Sequence, residues 1–332
     1  MSIGISEEHT GLADSLRGWA ASVGGVEAAR AAEGDPDARF EDVWKGVVEM
    51  GLATIAVPES VGGGGGTTLD QAVALEACAA ELVAGPLLGP AVVAGVLARA
   101  GRGAGPEAGL AALTGGSVVS FALPTPEGNL LLDAPSTAHA LVRGAEGWVL
   151  AAADVLSASA STGLDMSRRA GLLGEVPEGG HPVGVPGAGQ HAGGDQEKAD
   201  AVYAGVREQF GRKIGSFQAV KHLCAEMLET AEAVTAAAWD AAAAADGQGE
   251  HADEQWSFAC DVAEVTCFDG AVEVAKTCIQ VLGGIGFTFE HDAHLYLRRA
   301  LSLRAAFARP DAAAGRLTGA AVAGTRRPTP AC

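Results

Sequence analysis

Basic and amide side chains surround a glycine in the stretch REQFGRKIGSFQAVKH, residues 207–222. They flank Gly211 on both sides: Arg207, Gln209, Arg212 and Lys213. A reversal of the chain at Gly211 would gather their charges near one helix end and near the start of the next helix, whose free N–H groups also attract anions. Arginine binds phosphate oxygens in a bidentate manner. The stretch is therefore a candidate phosphate site, although spacing by itself favours a solvated basic loop.

A second candidate is QVLGGIGF, residues 280–287. Gly283 and Gly284 follow a long run of helical periodicity. Glycine reaches the left-handed conformation that ends helices without a steric penalty. Taken alone, this segment predicts a helix stop and no more.

Three further patterns carry less chemistry. Glu290, His291, Asp292 and His294 have the residue types of a metal site, but they share one short junction, and a tetrahedral site normally needs ligands from a second element. We expect a capped helix start there. The glycines from Gly62 to Gly66 lack the GK[ST] of a phosphate loop, so they predict a flexible connection. IGSFQ lacks the closing glycine of a hydrolase elbow.

Composition limits the partners. The 332 residues are 48% hydrophobic and carry 22 basic against 41 acidic side chains, a formal charge of −19. Nucleic acids and anionic membranes would be repelled, so neither is expected as a partner. The apolar stretch from Gly85 to Ala98 is too short for a membrane span, and the N-terminus does not resemble a signal peptide. Six cysteines without a CxxC pair suit reduced thiols in a cytoplasmic protein.

The elements that must position these motifs follow from periodicity. Residues 7–112 read as helices joined by glycine loops, and residues 117–180 read as a small antiparallel β region. The glycines and prolines from His181 to Asp195 predict a loop or disorder. Apolar stripes from Val220 through Leu228 to Val234, and from Phe258 to Leu282, predict two long antiparallel helices. A shorter helix follows.

The two glycine-containing segments resemble, in order and spacing, the two most recognisable signatures of the acyl-CoA dehydrogenase family. GLATIAVPESVGG resembles its N-terminal segment, and GWVLAAADV followed by LDMSRR resembles the late strands of its middle domain. The resemblance covers most of the chain and implies a mainly α fold with a small β domain. The implied domains are a helical domain at 1–115, a shortened β domain at 116–180, a four-helix bundle at 181–325 and a tail at 326–332.

The resemblance also implies a site for FAD in a dimer of dimers, a tetramer held together around the cofactor. Arg207 would reach the diphosphate of an FAD held mainly by a neighbouring subunit, with Phe210 packing nearby. The remaining residues implied to line the dinucleotide are Gln218, Gln280, Gly283 and Gly284. The glycines would serve because a backbone without Cβ approaches a ligand closely.

The implied reaction removes two hydrogens from an acyl-CoA thioester. A carboxylate takes the α proton, and a hydride leaves the β carbon for flavin N5. The resemblance implies an electron-transferring flavoprotein as acceptor, and the acyl chain stays open among steroid, branched fatty and polyketide-like groups.

The sequence departs from the family pattern at the catalytic base. One usual place for the glutamate holds LRAAFARPDAAAG, without any glutamate. The other falls near His181, with Glu175 and Glu178 out of register, so we assign no catalytic residue. The middle domain is also shortened. These losses resemble the short subunits of actinobacterial heteromeric (α2β2) acyl-CoA dehydrogenases, whose full-length partner supplies the base and most of the flavin site.

Two alternatives stay open: a non-catalytic structural or regulatory subunit, and an independent homo-tetrameric dehydrogenase with a relocated base. The region from Arg298 to Cys332 holds seven arginines and the single acid Asp311. It would either meet coenzyme A phosphates or a partner's acidic face, or form a frayed basic tail.

Overall fold

The computed structural model describes residues 5–35, 40–134, 136–144, 147–152, 158–161, 163–173, 180–183 and 202–324. The chain divides into two compact units. We refer to Gly18–Leu75 with Val83–Ala188 as the sheet unit, and to Met1–Arg17, Glu76–Leu82 and Gly189–Cys332 as the bundle unit.

The first third of the chain is helical, as its periodicity predicts. Its helices are α1 Glu7–Ser22, α2 Gly25–Gly34, α3 Glu41–Glu49, α4 Thr68–Ala80, α5 Leu88–Ala100 and α6 Ala104–Thr114. A reciprocal cap starts α4, because the Thr67 hydroxyl accepts the Asp70 N–H at 3.0 Å and the Asp70 carboxylate accepts the Thr67 N–H at 2.7 Å. Two short 3₁₀ turns lie between α3 and α4, at Leu52–Thr54 and Glu59–Val61.

The glycine run before α4 is a connection, as expected, but it is packed tightly onto the preceding turn. The amides of Gly64 and Gly65 donate to the carbonyls of Thr54 and Val57 at 2.9 and 2.8 Å. A Cβ on Gly63 would lie 2.2 Å from the Val57 carbonyl oxygen. These N–H groups are used within the chain, so close packing explains the glycines better than flexibility does.

A seven-stranded sheet forms the other part of the sheet unit. Its strands are β1 Val118–Thr125, β2 Gly128–Leu132, β3 Thr137–Gly144, β4 Gly147–Ala152, β5 Ala158–Ser161, β6 Ala170–Leu173 and β7 His181–Val183. Their order is β5-β6-β2-β1-β3-β4-β7. The core of the sheet consists of small and branched side chains: Ala122, Leu131, Ala140, Val142, Ala151 and Leu173.

The sheet is mixed, so the expectation of a purely antiparallel region was wrong for one pairing. β1 and β3 run parallel, with Ser120 opposite Ala140, whereas the other pairs are antiparallel. The β1–β2 hairpin occupies one edge of β1. The chain then turns at Asp133, whose φ is 56°, and β3 joins the free edge in the same direction as β1.

The expectation of a loop from His181 onward was wrong for residues 181–183, which form strand β7 against β4. Val149 pairs with Pro182, and the Val183 side chain is buried. Proline is tolerated because β7 lies at the edge of the sheet, where its missing N–H breaks no ladder. The rest of that prediction, residues 184–195, lies outside the described residues.

The bundle unit contains four helices after a short hairpin. They are α7 Gln218–Ala245, α8 Ala252–Leu282, α9 Ala293–Phe307 and α10 Pro310–Val322. The two long antiparallel helices predicted from the apolar stripes are α7 and α8: Met227 shares a core cluster with Cys278, and Val234 shares one with Cys267. Among the described residues, no helix has both the length and the apolar character needed to cross a bilayer.

Close contact between α7 and α8 depends on small residues. A Cβ on Gly270 would lie 2.6 Å from a methyl group of Val234, so glycine allows the helices to approach there. Met227 and Val234 of the predicted stripe are buried, whereas Leu228 is 49% exposed and does not belong to the core.

The arginines of α9 and α10 pair with carboxylates of α8. Arg304 Nε lies 2.5 Å from Asp269 Oδ1, and Arg316 Nη2 lies 2.5 Å from Asp261 Oδ1. The two predictions for the basic C-terminal region, a frayed tail and a coenzyme A site, are therefore wrong for Arg304 and Arg316. Both side chains are paired with carboxylates of α8. Arg326 and Arg327 lie outside the described residues.

Candidate functional site

Arg207 stands at the junction between a helical turn at 202–206 and a two-stranded hairpin. The hairpin pairs β8 Glu208–Gln209 with β9 Arg212–Lys213. Its two turn residues, Phe210 and Gly211, have φ of 54° and 74°, the signs that a type I′ turn requires. The predicted reversal at Gly211 is therefore confirmed.

The guanidinium of Arg207 lies at the C-terminal end of α8. Its Nη1 donates to the Tyr203 hydroxyl at 2.6 Å and to the Leu282 carbonyl oxygen. The final carbonyls of a helix lack partners within the helix and carry partial negative charge, so a cation is a favourable partner there. Both hydrogen bonds use Nη1, and among the described residues Nε and Nη2 have no acceptor, so they can donate to a further one.

Gly283 ends α8 beside this guanidinium, as the predicted helix stop requires. Its φ and ψ are 62° and −136°, a conformation that residues with a Cβ rarely adopt. A Cβ built on Gly283 would lie 3.4 Å from Arg207 Nη1, whereas a Cβ on Gly284 would meet no atom within 4 Å. The exposed backbone at Gly284 is therefore open to a ligand.

Phe210 of the hairpin contacts Phe217, a half-buried residue just before α7. Phe210 is 91% exposed and meets Phe217 edge to face at a centroid distance of 6.2 Å. The Arg212 guanidinium lies 3.9 Å from the centroid of the Phe217 ring. Arg212 thus makes a cation–π contact with the aromatic residue that precedes α7.

The structure brings Arg207 and Gly283 together and leaves the other expected site residues on adjoining segments. Gln218 is the first residue of α7, and its amide lies 2.8 Å from the ring of His222. Gln280 is exposed in the last turn of α8. Phe210 and Gly284 are also exposed, so all of these residues are accessible to a ligand at this end of the bundle unit.

Sequence reasoning missed Tyr203. Its hydroxyl accepts from Arg207 and lies 3.5 Å from the Leu282 carbonyl oxygen, so it touches both partners of the junction. The available signal was its position four residues before Arg207, which places both side chains on one helix face.

A cavity of about 420 Å³ lies in the bundle unit beside the glycine segment. Its lining comes from the end of α8, the segment after Gly283 and the start of α9: Lys276, Ile279, Gly286, Phe287, Thr288, Phe289, His294 and Leu297. Phe287 and Phe289 are 73% and 72% exposed. Large apolar side chains left in water are typical of an interaction surface.

The four metal-type residues lie at the start of α9, as expected, but the N-cap residue Asp292 makes no side-chain capping hydrogen bond and His291 caps the helix instead. His291 Nδ1 accepts the Ala293 N–H at 3.1 Å, and its carbonyl lies 2.7 Å from His294 Nδ1. Across the part of the chain that the structure describes, no group of three or more His, Cys, Asp or Glu side chains is arranged to hold a metal ion.

The places considered for a catalytic base hold other structures. The segment LRAAFARPDAAAG forms the end of α9 and the start of α10, with Pro310 in the first turn. His181 lies exposed in strand β7. Glu175 and Glu178 lie outside the described residues. The geometry therefore supports binding of an anionic ligand by Arg207 and the glycine backbone and assigns no base.

Comparisons with known proteins match both ends of the chain. The family model for the acyl-CoA dehydrogenase C-terminal domain matches residues 196–307, and the model for the N-terminal domain matches residues 6–116.

Two mycobacterial relatives differ in how much of them is matched. The acyl-CoA dehydrogenase FadE34 of Mycobacterium tuberculosis is 38% identical over 89% of this chain but only 45% of its own length. The chain therefore spans less than half of that relative. The acyl-CoA dehydrogenase IpdE2 of the same organism is 31% identical over 89% of this chain and 91% of its own length.

Solved structures share the fold. The ChsE4-ChsE5 complex from Mycobacterium tuberculosis superposes with a TM-score of 0.76 at 22% identity, covering 100% of both chains. A glutaryl-CoA dehydrogenase from Mycobacterium smegmatis in complex with FADH2 superposes with a TM-score of 0.76 at 14% identity, covering 96% of this chain and 95% of the other.

Proposed function

This chain belongs to the acyl-CoA dehydrogenase family, and from that premise we propose that it is a subunit of a flavin-dependent enzyme that dehydrogenates an acyl-CoA thioester between its α and β carbons. The family fold expected from the sequence, helical with a small sheet and a helical C-terminal bundle, is confirmed. The domain bounds at 115, 180 and 325 remain part of the proposal.

The observation that carries the proposal is the contact between Arg207 and the end of α8. A guanidinium whose Nε and Nη2 have no acceptor in the described part of the chain lies beside a backbone that has no Cβ at two successive positions. A nucleotide diphosphate needs these two features: a fork of donors for its oxygens and a close backbone approach. The Arg207 guanidinium and the backbone of Gly283 and Gly284 therefore suit FAD, the cofactor of this family.

We assign each residue of the site a role toward that dinucleotide. Arg207 donates to the diphosphate, Phe210 packs beside it, and Gly283 and Gly284 admit it. The amides of Gln218 and Gln280 lie in the flanking helices and supply hydrogen bonds. The chemistry that bound FAD would supply is a hydride acceptor, flavin N5, for the substrate β carbon.

We further propose that the chain works in a heteromer whose full-length partner supplies the base and most of the flavin site. The exposed rings of Phe210, Phe287 and Phe289 support an interface at this end of the bundle unit. The name of the ChsE4-ChsE5 complex shows that a protein of this fold assembles with a second chain. An electron-transferring flavoprotein as acceptor and a cytoplasmic location, which suits buried cysteines such as Cys78, Cys267 and Cys278 that form no disulfide, belong to the same proposal.

The test is an Arg207→Ala variant in the co-expressed complex, with Arg304→Ala as a matched control. We expect Arg207→Ala to lower flavin content and turnover together, and Arg304→Ala to retain both, because Arg304 pairs with Asp269. Unchanged flavin and unchanged rate for Arg207→Ala would favour the second candidate, a structural or regulatory subunit.

The homo-tetramer alternative makes a separate prediction. Expressed alone, such a protein would be yellow, and an acyl-CoA would bleach its flavin. A colourless homo-oligomer would exclude that alternative.

A further inference from the structure

We propose that Tyr203 is a positioning residue that holds the Arg207 guanidinium against the end of α8, and so presents its remaining donors to the dinucleotide. The link to the dinucleotide rests on the proposed function. The link between the three residues stands on their geometry alone.

Tyr203 and Arg207 occupy one helical turn. The Arg207 N–H donates to the Tyr203 carbonyl oxygen at 2.9 Å, which stacks the two side chains on the same face. The Tyr203 hydroxyl accepts from Arg207 Nη1 at 2.6 Å, and the guanidinium carbon lies 5.6 Å from the centroid of the tyrosine ring. Tyr203 therefore contacts the Arg207 guanidinium in two ways, through a hydrogen bond from Nη1 to its hydroxyl and through its aromatic ring.

The third member of the arrangement is the Leu282 carbonyl. It accepts from Arg207, and the Tyr203 hydroxyl lies 3.5 Å away. An arginine side chain loses rotamer entropy when it is held in one conformation, so a single acceptor would fix its guanidinium poorly. The two acceptors on Arg207 Nη1 fix the orientation of the guanidinium. Nε and Nη2 then point in a fixed direction.

The second tyrosine of the chain provides a matched control. Tyr203 and Tyr296 are the only tyrosines in the sequence. The Tyr296 hydroxyl donates to the Ala80 carbonyl at 2.8 Å, a hydrogen bond that does not involve Arg207. Tyr203→Phe and Tyr296→Phe therefore each remove one hydroxyl, and only the first removes a partner of Arg207.

The first measurement is hydrogen–deuterium exchange of the full-length chain without added flavin. We expect Tyr203→Phe to speed exchange several-fold in residues 280–286, because the turn at Gly283 loses part of its anchor. Tyr296→Phe should leave that segment unchanged. Wild-type exchange at 280–286 in Tyr203→Phe would overturn the positioning role.

The second measurement is FAD affinity in the co-expressed complex, titrated by flavin fluorescence in a double-mutant cycle. We expect Tyr203→Phe to weaken FAD binding about tenfold in the wild-type background, the effect of losing one hydrogen bond to a charged group. In an Arg207→Ala background it should have almost no effect, because the residue that it positions is gone.

The two measurements separate the two claims. Equal losses of FAD affinity in both backgrounds would show that Tyr203 acts independently of Arg207, and would overturn the inference. If Arg207→Ala binds FAD with wild-type affinity, the proposed function fails instead, and the exchange result alone decides whether Tyr203 positions Arg207.

Discussion

Alanine at Gly283 and alanine at Gly284 should have different effects on stability and the same effect on flavin. At Gly283 the backbone has φ 62° and ψ −136°, which costs a residue with a Cβ about 1–3 kcal/mol. The new methyl group would also lie 3.4 Å from Arg207 Nη1. At Gly284 φ is not positive and the Cβ would meet no atom, so alanine should be neutral or stabilise the fold by up to about 1 kcal/mol.

Both methyl groups would occupy the surface where we place the dinucleotide, so both variants should lose FAD affinity. The assays are urea denaturation followed by circular dichroism, and FAD titration of the co-expressed complex. Gly315→Ala, at an exposed helical position without neighbours within 4 Å, is the control for both. A Gly284→Ala complex that binds FAD with wild-type affinity would refute the placement of the nucleotide, and a Gly283→Ala protein of wild-type stability would refute the strain argument.

Three further outcomes follow from buried groups. Burial, opposed by Arg168 and a hydrogen bond from Ser120, raises the pKa of Asp133 to about 6. The folded state holds that proton more tightly than the unfolded chain, so stability of about 3 kcal/mol, present below about pH 4, is lost as pH rises to about 6. Asp133→Asn, which tolerates the positive φ, should therefore flatten the free energy of unfolding from pH 4 to 6, and urea curves parallel to wild type would contradict this. Gly63→Ala should lower the free energy of unfolding by about 2 kcal/mol or more, because its methyl group meets the Val57 carbonyl at 2.2 Å; wild-type stability in urea would disprove it. Burial raises the pKa of Cys267 to about 12, so iodoacetamide should label this thiol only after unfolding, as read by mass spectrometry.

The sequence predicted the helices better than it predicted the sheet. The stripe from Phe258 to Leu282 and the stop at Gly283 are local signals, because helix periodicity and glycine conformation depend on neighbours along the chain. Strand order depends on which edge of β1 is free, and no run of residues encodes that. The parallel pairing of β1 with β3 and the pairing of Val183 in β7 were therefore missed.

The candidate site divides in a similar way. Arg207 and Gly283 were named through a family resemblance, and the hydrogen bond that brings Arg207 to the end of α8 joins it to Leu282, 75 positions away. The spacing of the basic residues alone favoured a solvated loop. The sequence around Arg207 does not show which carbonyl its guanidinium contacts in the fold. Tyr203 was available from its spacing to Arg207, but only the position of Leu282 shows why a tyrosine hydroxyl is useful there.

The charges of the hairpin bear on which assembly would cover the exposed rings. Residues 207–213 carry Arg207, Arg212 and Lys213 against the single acid Glu208. In a two-fold contact between identical chains, this basic hairpin would face another basic hairpin if it lay on the two-fold axis. Like charges brought together in an interface oppose association. A partner of different sequence with an acidic surface, or the diphosphate that it holds, would instead attract the hairpin. The local charge thus opposes only a homo-oligomer in which the two hairpins meet on the two-fold axis.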